Sequence, residues 1–370
     1  MFHTVRNLYT SYKYIVLITA IFCLAGILIQ LFTFHRELIN QTNTAFDTYT
    51  SHVNEELLHS AQDLDDVIQA SELATLIAQD TDENRNAFAQ KAIEITEHHT
   101  TYTQVRFIDE EGQEIVRIDR QDGQIIQVDE AHLQNKINRY YVTDTLKLNE
   151  GEVYISPLDL NIENGEVEEP FNPMIRMAAP VFTQGGEHAG LIIINIQAQD
   201  LLYDPGVTTE LSPRSRFLLV NSDGYWFKGF VPEDEWGFMF PKRESKKIQN
   251  VFPKAWQNIQ SSSEGLVFSN EGMFIYRTIF PIRIVQSELG DNAQSYFSRN
   301  LTSKDFYWVT IGYISIADSL GFVYETIIYR YIIIFSVIVL SCGLFILFST
   351  LYSNLQLAHR KKEHNQKKTL

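Results

Sequence analysis

Two arginines set among tyrosines carry the most pointed chemistry in this chain. Arg139 precedes Tyr140 and Tyr141, and Arg176 lies further along in a run of apolar residues. A guanidinium presents a planar fork of N–H donors that matches a carboxylate, so either arginine could clasp one. The neighbouring phenols offer a ring wall and a hydroxyl. Between the arginines, residues 151–161 read Gly-Glu-Val-Tyr-Ile-Ser-Pro-Leu-Asp-Leu-Asn. Strand alternation puts Tyr154 and Ser156 on one face and Val153 and Ile155 on the other, with Asp159 and Asn161 following in a loop. Such a set can hold a small polar ligand by directional hydrogen bonds and charge complementarity. Each arginine also has a local alternative, because Glu163, Glu166, Glu168 and Glu169 are near enough in sequence to pair with it. Arg106 and Arg117 are expected to pair with Asp109, Glu114 or Asp119 rather than face a ligand.

Other chemistries find less support. His98-His99, and His52 with His59, lack the spacing of a metal site and read as a solvated helix face. The acidic run from Glu163 to Glu169 lacks the alternating aspartates and glycine of a calcium loop. Nucleophile elbow, Walker loop and dinucleotide fingerprint are all missing. No catalytic group, metal or cofactor is therefore expected.

The elements that must position these residues begin and end in lipid. Residues 14–34 and 331–352 are uncharged and apolar, each about as long as a helix needs to cross a bilayer. The first offers no small-residue cleavage site, so it reads as a retained anchor. Arg6 and Lys13 precede it, and Arg360, Lys361, Lys362, Lys367 and Lys368 follow the second span against Glu363 alone. Positive flanks remain in the cytoplasm, which puts both termini inside. Of 30 basic and 46 acidic residues, these flanks take seven and one, leaving 23 against 45 between them and a charge of −22. That balance argues against nucleic acid as a partner. Cys23 and Cys342 both lie within the spans, so the intervening domain must be stable without disulfides.

After the first span, Leu38, Thr42, Phe46, Tyr49, Val53, Leu57, Ala61, Leu64 and Ile68 recur at a helical period and predict one long amphipathic helix. Its stripe could pack on the domain or offer a surface for a second copy. From Tyr102 the period changes to that of strands. Gln104–Asp109, a turn at Glu110-Glu-Gly112 and Glu114–Asp119 predict a hairpin. A helix around 131–146, then strands at 151–156, 174–182 and 190–196, complete one sheet module. A second module repeats the pattern. It has strand 217–221, the turn Ser222-Asp-Gly224 and strand 225–227, then a helix near 246–259 and strands at 265–269, 273–281 and 307–315. The polar stretch 288–303 reads as an inserted loop, and helix 316–329 leads to the second span. The fold class expected is α+β: a long N-terminal helix and two antiparallel-sheet modules of PAS-like form, flanked by two transmembrane helices.

With Val105-Arg-Phe-Ile-Asp-Glu-Glu-Gly-Gln-Glu114, Lys136-Ile-Asn-Arg-Tyr-Tyr141, Gly151–Asn161, Glu168, Pro173, Arg176 and Asn221-Ser-Asp-Gly-Tyr-Trp226, this order resembles the extracytoplasmic double Cache sensor domains of bacterial transmembrane receptors. The resemblance covers residues 36–325 and is to the subtype found on diguanylate cyclases and histidine kinases. It implies ligand sensing by the membrane-distal module, with a pocket drawn from the positions of Arg139, Tyr141, Tyr154, Ser156 and Arg176. In amine-binding relatives an acidic residue holds the ammonium; the comparable position here is Asn195. The organisation implied is residues 1–13 cytoplasmic, 14–34 first span, 35–100 stalk helix and second helix, 101–204 distal module, 205–325 proximal module, 329–352 second span and 353–370 a basic tail, with 35–328 in the periplasm of an inner-membrane protein.

The leading expectation is a receptor that binds a small carboxylate or amino-acid-like ligand and signals through its membrane helices. No GGDEF sequence, phosphoacceptor-histidine block or methylation helix follows the second span, so cyclase or kinase output is expected from a longer chain or a signalling partner. A homodimer through the long helix fits the same reading. The alternative is a membrane-anchored adaptor that docks an envelope protein through an exposed patch, in 288–303 or around Trp226 and Trp236.

Overall fold

The computed structural model describes residues 2–163, 165–202, 211, 215–283, 285 and 306–368. They form two units, one of residues 1–40 with 314–370 and one of residues 41–313. In the first unit two apolar helices lie side by side, and Tyr331 packs so closely on Gly26 that any side chain there would collide with its ring. Both helices are long and apolar enough to cross a bilayer, with mean hydropathies of 2.7 and 2.8. Phe22, Phe32, Leu340 and Phe345 stand exposed on them, which suits a lipid environment. Two such helices and the domain between them fit an inner-membrane protein. The second helix runs Tyr329–Lys368 and so continues into the basic segment. The helix expected over 316–329 is divided into Ile316–Phe322 and a π-helical turn Val323–Ile328.

Helix α1, Phe2–Ile68, brings its residues 41–68 into the second unit. Its stripe of Ala45, Phe46, Tyr49, Val53, Leu57, Ala61, Leu64 and Val67 is buried throughout. Phe46 and Tyr49 pack on Phe217, with ring centroids 6.4 and 5.3 Å apart. Further along, Glu56 accepts from the Thr101 hydroxyl (2.6 Å) and Asp63 from the Tyr102 hydroxyl (2.5 Å). Gly312 meets Thr42 with no room for a side chain between them. The stripe is thus covered by its own chain, and a second copy would have to use another face. His99, read from sequence as solvated, instead pairs with Asp63 (2.9 Å) and stacks on Tyr102. Helices α2, Ser71–Ala78, and α3, Asp82–His98, follow; the Thr81 side chain caps α3 by accepting from the Asn84 N–H.

The distal module is an antiparallel sheet of β1 (Tyr102–Ile108), β2 (Glu114–Gln121), β3 (Gln124–Gln127), β4 (Tyr154–Ile155), β8 (Pro173–Phe182) and β9 (His188–Gln197) in the order β3-β2-β1-β9-β8-β4. A short β5, Asp159–Leu160, also pairs with β8, and β6 (Ile162–Glu163) pairs with β7 (Glu166–Val167) as a separate hairpin. Alternation divides the sheet's chemistry. Val105, Phe107, Val116, Ile118, Met177, Ile192 and Ile194 form the helix-facing side, where Phe88 of α3 meets Phe107. The other face carries Gln104, Arg106, Asp119, Arg176 and Asn195, and cross-strand register aligns Asp119, Gln104, Asn195 and Arg176 in one row.

The segment 131–146 departs from its expected helix. It contains a single 3-10 turn, Glu130–His132, and the short helix α4, Tyr140–Thr145. The backbone between them is claimed by the hairpin: Glu114 N–H donates to Gln134 O (3.1 Å), Gln134 N–H to the Glu114 carboxylate (2.9 Å) and Lys136 N–H to Gly112 O (2.7 Å).

The proximal module has the sheet β11-β10-β14-β13-β12, built from β10 (Arg216–Asn221), β11 (Trp226–Lys228), β12 (Glu264–Ser269), β13 (Gly272–Ile279) and β14 (Trp308–Ile314). Its first turn repeats that of the distal module. Asn221 Oδ1 accepts from the N–H groups of Asp223 and Tyr225, as Asp109 Oδ1 does from those of Glu111 and Gln113. Gly112 and Gly224 follow at φ 83° and 82°, a region glycine enters without strain. The helix expected near 246–259 is broken at Pro253 into Ile248–Val251 and Pro253–Ile259, since proline lacks the N–H that would continue it. Leu218, Trp226, Phe252, Trp256 and Phe274 fill the core. Trp226 and Trp236 are both buried, while Val231 and Phe238 beside them are exposed. The loop 288–303 lies outside the described residues.

Truncating the α1 stripe tests this arrangement. Leu57→Ala should cost about 2–5 kcal/mol, lowering the melting temperature of the full chain in lipid nanodiscs by several degrees. The exposed Glu55 on the same helix should tolerate alanine within about 0.5 kcal/mol. Equal melting temperatures for the two variants would put the stripe in solvent.

Candidate ligand-binding site

Tyr141 is the hub of the polar face. It is buried in α4, and three guanidinium carbons lie near its ring centroid: Arg176 at 5.0 Å, Arg139 at 5.6 Å and Arg106 at 5.9 Å. Each comes from a different element, β8, the residue capping α4 and β1 respectively. All three distances are within the range of cation–π attraction. Val142, Leu148, Tyr154, Ala178, Leu191 and Ile193 pack with Tyr141 in one buried apolar cluster. Burial alone would raise the Tyr141 phenol, but Arg106, Arg176, Arg139 and Lys136 outweigh it and hold the hydroxyl below its ordinary value.

Arg176, 1% exposed, is fixed from several sides. Its Nη1 donates to Asp159 Oδ1 (2.6 Å) and its Nη2 reaches Asn161 Oδ1 (3.4 Å). Asp159 therefore fills the pairing role that sequence gave to Glu163, Glu166, Glu168 or Glu169. Burial works against the cation, and Asp159 and Tyr140 more than offset this, so its pKa is raised. The second oxygen of Asp159 accepts from the Tyr140 hydroxyl (2.6 Å). Lost hydration and then the charge of Asp159 push that phenol upward, and burial followed by Asp144 and Asp159 does the same to Tyr154.

Two expected residues turn inward to the protein. The Ser156 hydroxyl accepts from the Arg176 backbone N–H (2.9 Å) and donates to Pro157 O (2.9 Å), so both roles are occupied. Asn195 Oδ1 accepts from Arg106 Nη2 (2.8 Å), and its Nδ2 donates to Gln104 (2.8 Å). Asn195 orients an arginine rather than facing a ligand. Arg139, half-buried, has no carboxylate partner among the described residues.

Arg106 was not expected in this site. It does pair with Glu114 (3.3 Å), as Arg117 does with Asp119 (2.7 Å). Yet it is buried under Tyr141, and the Nε of Arg106 and of Arg176 are both buried without a hydrogen-bond partner. A buried donor left open is costly, and a bound acceptor would satisfy it. The signal lay in the hairpin, where Arg106 alternates with Val105 and Phe107 and so leaves the apolar face. What placed it in the site was the pairing of β1 with β9 and of β9 with β8, which no local pattern announces. Among the described residues no group of three potential metal ligands gathers.

A sequence model described as the bacterial histidine kinase sensor domain matches residues 40–283. Among solved structures, the domain of a sensory box/GGDEF family protein from Vibrio parahaemolyticus is similar at a TM-score of 0.60 and 17% identity, covering 78% of this chain and 98% of that one. The extracellular domain described as that of the histidine kinase vpHK1S-Z8 is similar at a TM-score of 0.61 and 17% identity, covering 80% of this chain and 99% of its own. No curated protein matches the chain significantly. The fold is that of Cache-type sensor domains.

The cations around Tyr141 have a spectroscopic consequence. In an alkaline ultraviolet titration of the full chain, subtracting the Tyr141→Phe curve from the parent should isolate one phenol with a midpoint below about 10. A midpoint at or above that value would mean the ring is not surrounded by positive charge.

Proposed function

The chain belongs to the bacterial histidine kinase sensor-domain family, and from that premise we propose that it is a membrane-bound receptor whose distal module binds a small polar ligand bearing a carboxylate. The carrying observation is the ring of three guanidinium groups about Tyr141, with two buried Nε donors open and one arginine lacking an acid. A carboxylate, free or part of an amino acid, is the acceptor such a set suits. Both termini lie in the cytoplasm, residues 35–328 in the periplasm, and the output is cyclic-di-GMP synthesis or a kinase on a longer chain or a partner.

The loop that holds Arg176 also supplies a route out of the site. Asp159 and Asn161 grip the arginine, and the residue between them donates its backbone N–H to Met239 Sδ of the proximal module (3.1 Å). Phe171 stacks on Phe240 at 5.4 Å, and Arg243 covers the Phe240 ring at 4.6 Å. A ligand that competes with Asp159 for Arg176 would bind two states of this loop unequally, which is the requirement for coupling. The adaptor reading gains no comparable observation.

Thermal unfolding of the full chain in nanodiscs, against a panel of carboxylates, amines and amino acids, tests the proposal. Carboxylate-bearing compounds at about a hundredfold above Kd should stabilise the protein by about 2.7 kcal/mol, while simple amines leave it unchanged. Arg139→Ala should weaken binding about tenfold or more without unfolding the domain, since it strands no buried acid. If no carboxylate stabilises the chain, the assignment fails.

A further inference from the structure

The carboxylate oxygens of the site each already hold a protein donor, whereas two of its buried donors hold no acceptor. Asp159 gives one oxygen to Arg176 and the other to Tyr140. Glu114 gives one to Arg106 and the other to the Gln134 N–H. The carbonyl oxygens of Asn195 and Asn161 accept from Arg106 and Arg176. The remaining acid near Tyr154 is Asp144, which is exposed and paired with Lys147 (3.1 Å). On the donor side stand the buried Nε atoms of Arg106 and Arg176 and the guanidinium of Arg139. Arg106 and Arg176 are balanced by Glu114 and Asp159, so Arg139 leaves one positive charge uncompensated.

An ammonium brought into this space carries three N–H donors and a like charge. It would compete with Arg176, Tyr140 and Arg106 for carboxylate oxygens that they already hold, and it would lie beside three guanidinium groups. Leaving donors unpaired in a buried site is what makes such discrimination steep. Resting on the receptor reading above, we infer that the ligand is a small carboxylate that carries no ammonium group, so that the site selects organic acids over the matching amino acids. Asn195, which donates to Gln104 and accepts from Arg106, holds that arginine in place beneath Tyr141.

Matched pairs isolate the ammonium. Isothermal titration calorimetry of the full chain in nanodiscs would compare succinate with L-aspartate, glutarate with L-glutamate and propionate with L-alanine. In every pair that binds, the acid without the amine should bind at least about tenfold tighter, and Arg139→Gln should weaken that binding by a similar factor. An amino acid binding as tightly as its partner would overturn the inference and leave the receptor reading standing. Binding unaltered by Arg139→Gln would place the preference at another site and also overturn it. Silence from all six compounds would overturn both the inference and the carboxylate reading on which it rests.

Discussion

A guanidinium buried beneath a sheet's neighbouring helix must be answered by acceptors, and that demand organises the distal module. Removing one partner of a buried ion pair costs on the order of 3–5 kcal/mol, because the survivor's charge is left uncompensated. Arg176 therefore draws Asp159 and Asn161 inward, and with them the chain that follows β4. Arg106 draws Glu114, which in turn fixes the backbone of Gln134 beneath the hairpin turn. The short helix bearing Tyr141 can dock only where those two cations stand, and its capping residue adds the third. Two connecting segments and one short helix are thereby set in place by electrostatics as well as by apolar packing.

The proximal module shows what the same scaffold does without that demand. It keeps the asparagine-anchored first turn and the antiparallel sheet, yet its core is Trp226, Phe252, Trp256 and Phe274. Aromatic side chains stand there in place of buried ion pairs. One module thus has an aromatic core and the other carries charge into its interior, a difference that follows from a few residue choices on a shared topology.

Local chemistry made much of this visible in the sequence. The apolar runs, the α1 stripe and the two glycine-bearing turns each depend on residues within a few positions of one another, and their patterns are strong. The helix expected over 131–146 failed because its backbone partners, Gly112 and Glu114, come from a preceding hairpin and outbid helical bonds. Ser156 and Asn195 hydrogen-bond to neighbouring protein groups, partners that lie on adjacent strands and so leave no local pattern. Arg106 was set aside as one half of a local pair. It is that, and it also sits under Tyr141, because burial lets one guanidinium serve several neighbours at once. Residue type told what could bind; strand order told what was still open to bind.

The meeting of Thr42 with Gly312 bears on how the domain is made. The helix leaves the ribosome early, but the surface that covers its first turns belongs to β14, the last strand of the domain. Contacts this distant in sequence slow folding, because the loop must close before any of them contributes. Phe46 and Tyr49 likewise wait for Phe217 of β10, so the stripe stays uncovered for much of synthesis, which invites association between unfinished chains. Completion of the domain thus waits on the interval between synthesis of its first helix and of its last strand.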